Sequence, residues 1–296
     1  METGFKMFHP AAQLLFFVSV ISVTMFVMHP VITGISFIAS VLWILCDGGI
    51  CALLRNLKFT AVTSAMIIII NPLISHNGMT AITYFPDGNP LTLESVYFGI
   101  AAAVMISCTL KWFYSFNRNF TSDKIICLFG RIMPKPALLI SMTLGFIEKF
   151  KTKMNSVSEV QKIFDCYSGE NSLIRRIKSA VRIFSVMIQW SLENSIDTAD
   201  SMKSRGYGLQ KRTAYTLYRF LPRDGFMVAI TVVCDLVIIA AVFCGALEYS
   251  YYPYFLLDSQ GIVTMAAYAV FALLCTAPLI VNILEEIKWK SIRSKI

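Results

Sequence analysis

The residues best suited to a specific chemical task close a long amphipathic pattern. They read Ala199-Asp200-Ser201-Met202-Lys203-Ser204-Arg205-Gly206-Tyr207-Gly208. A glycine stops the helix directly after Arg205, so the guanidinium fork projects from its end. A planar guanidinium pairs bidentately with a carboxylate, which fixes orientation as well as energy. Small side chains at Ala199, Ser201 and Ser204 would let such a tip enter a groove on another protein. On spacing alone a second use stays open, in which Arg205 caps the last carbonyls of its own helix.

Other reactive types are sparse. Asp235 is the one acid deep inside an apolar run, and an ionisable group there is a functional candidate. With no His, Lys or second acid beside it, a helix contact to a Tyr or Ser is the simpler reading, and a membrane enzyme the weaker one. The eight cysteines contain no C-x-x-C pair, and His9, His29 and His76 stand apart from carboxylates. They read as buried small hydrophobes and isolated histidines rather than a metal site. No G-x-x-x-x-G-K-[ST] loop is present, so the chain cannot cradle nucleotide phosphates in that way. Work driven by ATP would have to reach it from a partner.

The elements that carry these residues follow from hydropathy. Apolar residues make up 56% of the chain and charged ones 15%, where soluble proteins sit near a quarter charged. Six apolar segments stand out, at 11–28, 31–45, 59–74, 96–112, 226–247 and 262–284. The second and third are short for a straight span. The first lacks a small-x-small cleavage pattern and is kept as a span. Lysines and arginines alternate with the connections. Lys6 precedes the first segment, Arg55 and Lys58 follow the second, and none lies in 75–95. Lys111 closes the fourth segment, 18 basic residues fall in 117–224, none lies in 248–261, and Lys288, Lys290, Arg293 and Lys295 end the chain. The positive-inside rule then places both termini in the cytosol. It also explains the net charge of +8 without nucleic acid, and the same charge favours anionic lipid.

Region 117–224 is too long for a loop. A helix capped by Ser122 and Asp123 is expected over 124–132. A second helix, with Pro136 at its first turn, runs to about Asp165. Ser168, Gly169 and Asn171 form a turn. A third helix spans 172–205, about 50 Å at 1.5 Å per residue. Its apolar positions, Leu173, Ile174, Ile177, Val181, Phe184, Met187, Ile188, Leu192, Ile196, Ala199 and Met202, step by three and four and mark one helical face. Arg175, Arg176, Lys178 and Arg182 crowd its first turns against the helix dipole, which an anionic surface nearby would offset. The expected fold is an all-α polytopic membrane protein with about six transmembrane helices and a cytosolic pair of long helices. Its parts are 1–116 with about four spans, 117–224 in the cytosol, and 225–296 with two spans and a basic tail.

Several motifs occur in an order that resembles the transmembrane coupling (T) subunit of energy-coupling factor transporters, the cobalt and vitamin permease family. Ser201-Met202-Lys203-Ser204-Arg205-Gly206-Tyr207-Gly208 resembles that family's A-M-x-A-R-G-Y-G. Asn71-Pro72-Leu73-Ile74-Ser75-His76 is similar to its N-P-L-F-S-H, and Gly88-Asn89-Pro90-Leu91-Thr92-Leu93-Glu94 to its G-x-P-I-T-x-E. Ser115-Phe116-Asn117, Thr121-Ser122-Asp123-Lys124 and Leu128-Phe129-Gly130-Arg131 resemble its loop before the coupling helices.

The resemblance implies a non-catalytic subunit in a prokaryotic cell membrane. It would hold a substrate-binding (S) membrane subunit and dock on two ABC-type ATPases, which bind the ATP, so the chain itself carries no cofactor. It implies that Ser204, Arg205 and Gly206 form one coupling end. At the other end the family has Q-R-A-R-G and this chain has Gln161-Lys162-Ile163-Phe164-Asp165. The arginine position falls on Phe164, so Lys162, Ile163, Phe164 and Asp165 make a weaker second end. A stand-alone channel or secondary carrier is the alternative, but no internal repeat supports it.

Overall fold

A computed structural model describes residues 4–75, 78–84, 90–166, 173–209, 218–252, 256–257 and 261–293. The turn expected at Ser168, Gly169 and Asn171, and His76, Phe85, Asp87 and Asp258, lie outside them. Among the described residues eight α-helices carry the fold: α1 (Pro10–Phe26), α2 (Pro30–Ile74), α3 (Leu93–Asn119), α4 (Ser122–Ile132), α5 (Pro134–Cys166), α6 (Leu173–Ser204), α7 (Pro222–Phe243) and α8 (Ile262–Arg293). The chain is an all-α polytopic membrane protein. Helices α2, α3 and α7 and the Ile262–Glu285 stretch of α8 are long and apolar enough to cross a bilayer, and α1 is a shorter apolar helix.

Helix α2 is not one rod. At 45 residues it would measure about 68 Å, more than twice the hydrocarbon core. At Gly49 φ is 69° and ψ −178°, a backbone state open to glycine alone. Contacts to α3 show what happens there. Before Gly49 they rise together: the Cys108 thiol bonds the Thr33 carbonyl, Trp112 Nε1 donates to Ser36 Oγ at 2.9 Å, and Arg118 pairs with Asp47 at 2.9 Å. After Gly49 they run in opposition, with Ser64 bonded to Ser107 and Asn71 against Gly99. The chain therefore reverses at Gly49, and arms 30–48 and 50–74 lie antiparallel. Each is about one bilayer long. The apolar segments 31–45 and 59–74 leave a connection between them, but both arms are helical up to the turn, and Arg55 and Lys58 are helical residues. Gly48 must also be small, because a Cβ there would sit 2.4 Å from Arg118 Nη1 and 2.6 Å from Ala52 Cβ. Gly49→Val is expected to destabilise the protein by about 1–3 kcal/mol, and Gly49→Ala by less. Denaturant midpoints in detergent would read this, and an unchanged midpoint for valine would refute the reversal.

The membrane helices form one compact unit, 1–124 with 218–296, and residues 125–217 form another. Within the first unit an aromatic cluster of Phe5, Phe16, Phe17, Trp43 and Trp112 is fully buried, with ring centroids 5.3–6.4 Å apart and mostly edge-to-face. Such geometry matters where lipid removes the ordinary hydrophobic drive between helices. Hydroxyls join the same helices: Thr24 Oγ1 bonds Ser36 Oγ at 2.9 Å. Asp235 finds the kind of partner expected, since Ser19 of α1 donates its hydroxyl to the carboxylate.

The basic connections meet at one end of this unit. Asp47 takes Lys6 at 2.7 Å as well as Arg118. At the opposite end two short antiparallel pairs form, β1 (Ala81–Tyr84) with β2 (Pro90–Thr92) and β3 (Tyr249–Ser250) with β4 (Leu256–Leu257). Hydropathy did not signal these strands. The buried Glu94 carboxylate accepts from Thr80 Oγ1 at 2.6 Å and fastens the first pair to the start of α3. His29 caps the second helix by accepting from the Val31 N–H, and Tyr268 Oη lies 3.0 Å from its Nε2. Burial pushes the His29 imidazole below the usual histidine range and keeps it neutral at pH 7.

Candidate functional site

The second unit is built on α5 and α6. Helix α5 starts at Pro134, two residues before the expected Pro136, because a proline at the first turn needs no donor. Helices α5 and α6 meet through aromatic contact: Trp190 stacks on Phe146 with centroids 5.5 Å apart and an interplanar angle of 19°, and Phe150 lies 6.4 Å away. Met187 is buried beside Trp190. Ile183, Met187, Trp190, Asn194 and Thr198 share the covered edge of α6.

The apolar stripe on α6 is not covered. Leu173, Ile174, Ile177, Val181, Phe184, Ile188, Leu192 and Ile196 are 46% to 78% exposed. They follow the three-and-four spacing of one helical face over more than six turns. Arg176, Lys178 and Arg182 on the same helix are exposed. A continuous apolar strip of this length is a surface suited to apolar contact, with lipid or with another protein.

The end of α6 is defined by its cap. The Gly206 N–H donates to the Lys203 carbonyl at 2.9 Å and the Tyr207 N–H to the Met202 carbonyl at 3.0 Å. That pair of bonds, with Gly206 at φ 82°, is a Schellman motif in which Arg205 is the C-cap residue. The Ser204 hydroxyl turns back onto the Ser201 carbonyl at 2.9 Å. Backbone donors therefore serve the last carbonyls, and the guanidinium does not. Arg205 is exposed, and its side chain makes no hydrogen bond or ion pair with any described residue. The neighbouring cation Lys203 is engaged, 3.9 Å from Asp200. Among the described residues nothing engages the positive fork, which sits at the negative end of the helix dipole.

At the other helix end, Lys162 and Ile163 are exposed in the last turn of α5, which closes at Cys166. Phe164 and Asp165 lie in that turn, their side chains outside the described set. Among the described residues no group of three or more His, Cys, Asp or Glu is placed to hold a metal.

One polar centre escaped the reading of the sequence. Lys124, in the first turn of α4, is 1% exposed. Its ammonium donates to the Lys6 carbonyl at 2.9 Å, Gln13 Oε1 at 2.9 Å and the Asn119 carbonyl at 2.8 Å. It pins the N-terminal segment to the exit of α3. A lysine at a helix N-terminus opposes the dipole, and that mismatch was the available signal.

No protein-family model matches the chain. Over 103 residues it is 29% identical to the energy-coupling factor transporter transmembrane protein EcfT of Lactococcus lactis subsp. cremoris (strain MG1363). The match covers 34% of this chain, and the chain spans only 39% of the length of that relative.

Proposed function

We propose that the chain is the transmembrane coupling subunit of an energy-coupling factor importer. In this reading it transmits the motion of two ABC-type ATPases to a substrate-binding membrane subunit that takes up a vitamin, a vitamin precursor or a metal ion. The observation that carries the reading is the capped end of α6, where an arginine with no partner among the described residues stands beside the glycine that stops the helix. A guanidinium so placed suits a carboxylate-lined groove on a motor. The similarity to EcfT supports the same reading.

Ser204, Arg205 and Gly206 are then the principal coupling end. Lys162, Ile163, Phe164 and Asp165 form the second, which relies on packing and one lysine. The open apolar stripe of α6 is proposed to receive the substrate-binding subunit, because a membrane protein offers the complementary apolar surface. The termini and the α5–α6 unit face the cytosol of a prokaryotic cell, and the chain binds no nucleotide itself.

The direct test is isolation of the tagged chain from its native membrane at low salt. It is expected to bring down two P-loop ATPase chains and one small apolar membrane protein. Recovery without any nucleotide-binding chain would overturn the proposal.

A further inference from the structure

The membrane surface formed by α7 and α8 carries a groove of about 430 Å³. Its walls are Phe226, Ile230, Leu273, Ala277 and Ile280, and Phe8 closes one end. Phe226, Leu273 and Ile280 are exposed, and Ala277 leaves a hollow between longer side chains. From Leu273 to Glu285 the helix rises about 18 Å, close to the depth of one leaflet's hydrocarbon. The groove therefore has the length of a single acyl chain running from headgroup level toward the midplane.

Its mouth is charged. Arg223, the second residue of α7, lies over the Phe8 ring at 5.2 Å, with Nη1 3.8 Å from Glu285 and Nη2 3.4 Å from the Met7 carbonyl. All three contacts are long, so the guanidinium keeps donor capacity for a further acceptor. Glu285 is already engaged by the Gly4 N–H. The acid nearest on α7, Asp224, is buried and accepts from the Leu221 and His9 N–H groups. Arg219, Glu286 and Lys288 flank the mouth in sequence. Of the two charged residues that line the groove, Glu285 is already bonded, and Arg223 keeps donors to spare where the apolar wall begins.

We infer that this groove is a binding site for one anionic glycerophospholipid, its acyl chain along α7 and α8 and its phosphate on Arg223. The assignment is independent of which motor or cargo partner the chain uses. A bilayer bathes any such wall in lipid, and the distinguishing property is headgroup preference anchored at one residue.

The experiment titrates the delipidated full-length chain with phosphatidylglycerol or phosphatidylcholine of identical acyl chains and counts bound lipid by native mass spectrometry. The wild type is expected to hold one phosphatidylglycerol about five- to tenfold more tightly than phosphatidylcholine. Arg223→Gln should remove that preference and Arg223→Lys keep most of it. Ala277→Phe should abolish the adduct, and glycerol phosphate without acyl chains should not bind. Equal affinity for the two lipids, or a preference unchanged in Arg223→Gln, would overturn the site. A cysteine at Ala277→Cys shielded from a thiol reagent only in the assembled complex would show a protein helix in the groove and overturn it equally. Circular dichroism and elution volume confirm that each variant is folded before it is read.

Discussion

Arg205→Glu is expected to cut ATP-driven uptake by at least about a hundredfold, while the chain still inserts and keeps its stability. In the proposed partner groove the wild-type fork would make a bidentate carboxylate pair, whereas the variant would set two acids against each other there. Truncating a buried, hydrogen-bonded charge pair at an interface costs about 2–5 kcal/mol, and each 1.4 kcal/mol is a factor of ten. Stability should hold because the helix end is closed by the backbone bonds of Gly206 and Tyr207, and Arg205 bonds to no described residue. Changes at such surface sites usually stay within about 0.5 kcal/mol. Arg205→Lys should retain part of the activity, since it keeps the charge and loses the fork. The measurement is substrate accumulation in cells or vesicles, with membrane-fraction yield as the control. Uptake at wild-type level in the glutamate variant would remove the proposed coupling end.

Lys124→Met should destabilise the membrane unit by about 3 kcal/mol. The substitution keeps the volume of the stem but strands Gln13 Oε1, the buried Asn119 carbonyl and the half-buried Lys6 carbonyl, at about 1–3 kcal/mol for each buried group left unmatched. The loss would show as a lower denaturant midpoint in detergent and as faster proteolysis near the N-terminus, because the Lys6 carbonyl and Gln13 Oε1 would lose their tie to α4. A midpoint within about 0.5 kcal/mol of wild type would mean that water replaces the ammonium without loss. Arg205→Glu serves as the contrast, one variant failing in work and the other in folding.

The parts of the fold that local pattern determines were readable. The all-α membrane class came from the apolar runs, which the apolar helices of the structure follow. The stripe on α6 came from the three-and-four spacing, and the stop at Gly206 from the freedom of glycine. What stayed hidden depends on residues far apart in the chain. The reversal at Gly49 reads in the sequence as a connection because two helices joined with no loop at all look like two short spans with a linker; only the opposed contacts to Cys108 and Ser107 separate the cases. Asp235 lacked a partner until packing brought Ser19 from 216 positions away. Lys124 counted as one more basic residue on the charged side, and its burial depends on Gln13, 111 positions earlier. In the candidate site, exposure of Arg205 could be guessed from the glycine beside it. That its own carbonyls are satisfied by backbone bonds could not, because a lone arginine near a helix end fits both uses.

The open stripe on α6 also bears on how a cell can make this protein. Synthesised in excess over the molecules that cover it, the chain would display eight large hydrocarbon side chains to water, the kind of surface that chaperones and quality-control proteases recognise. Its steady-state abundance should therefore follow the supply of its companions rather than its own transcription. Production without them should yield a short-lived orphan.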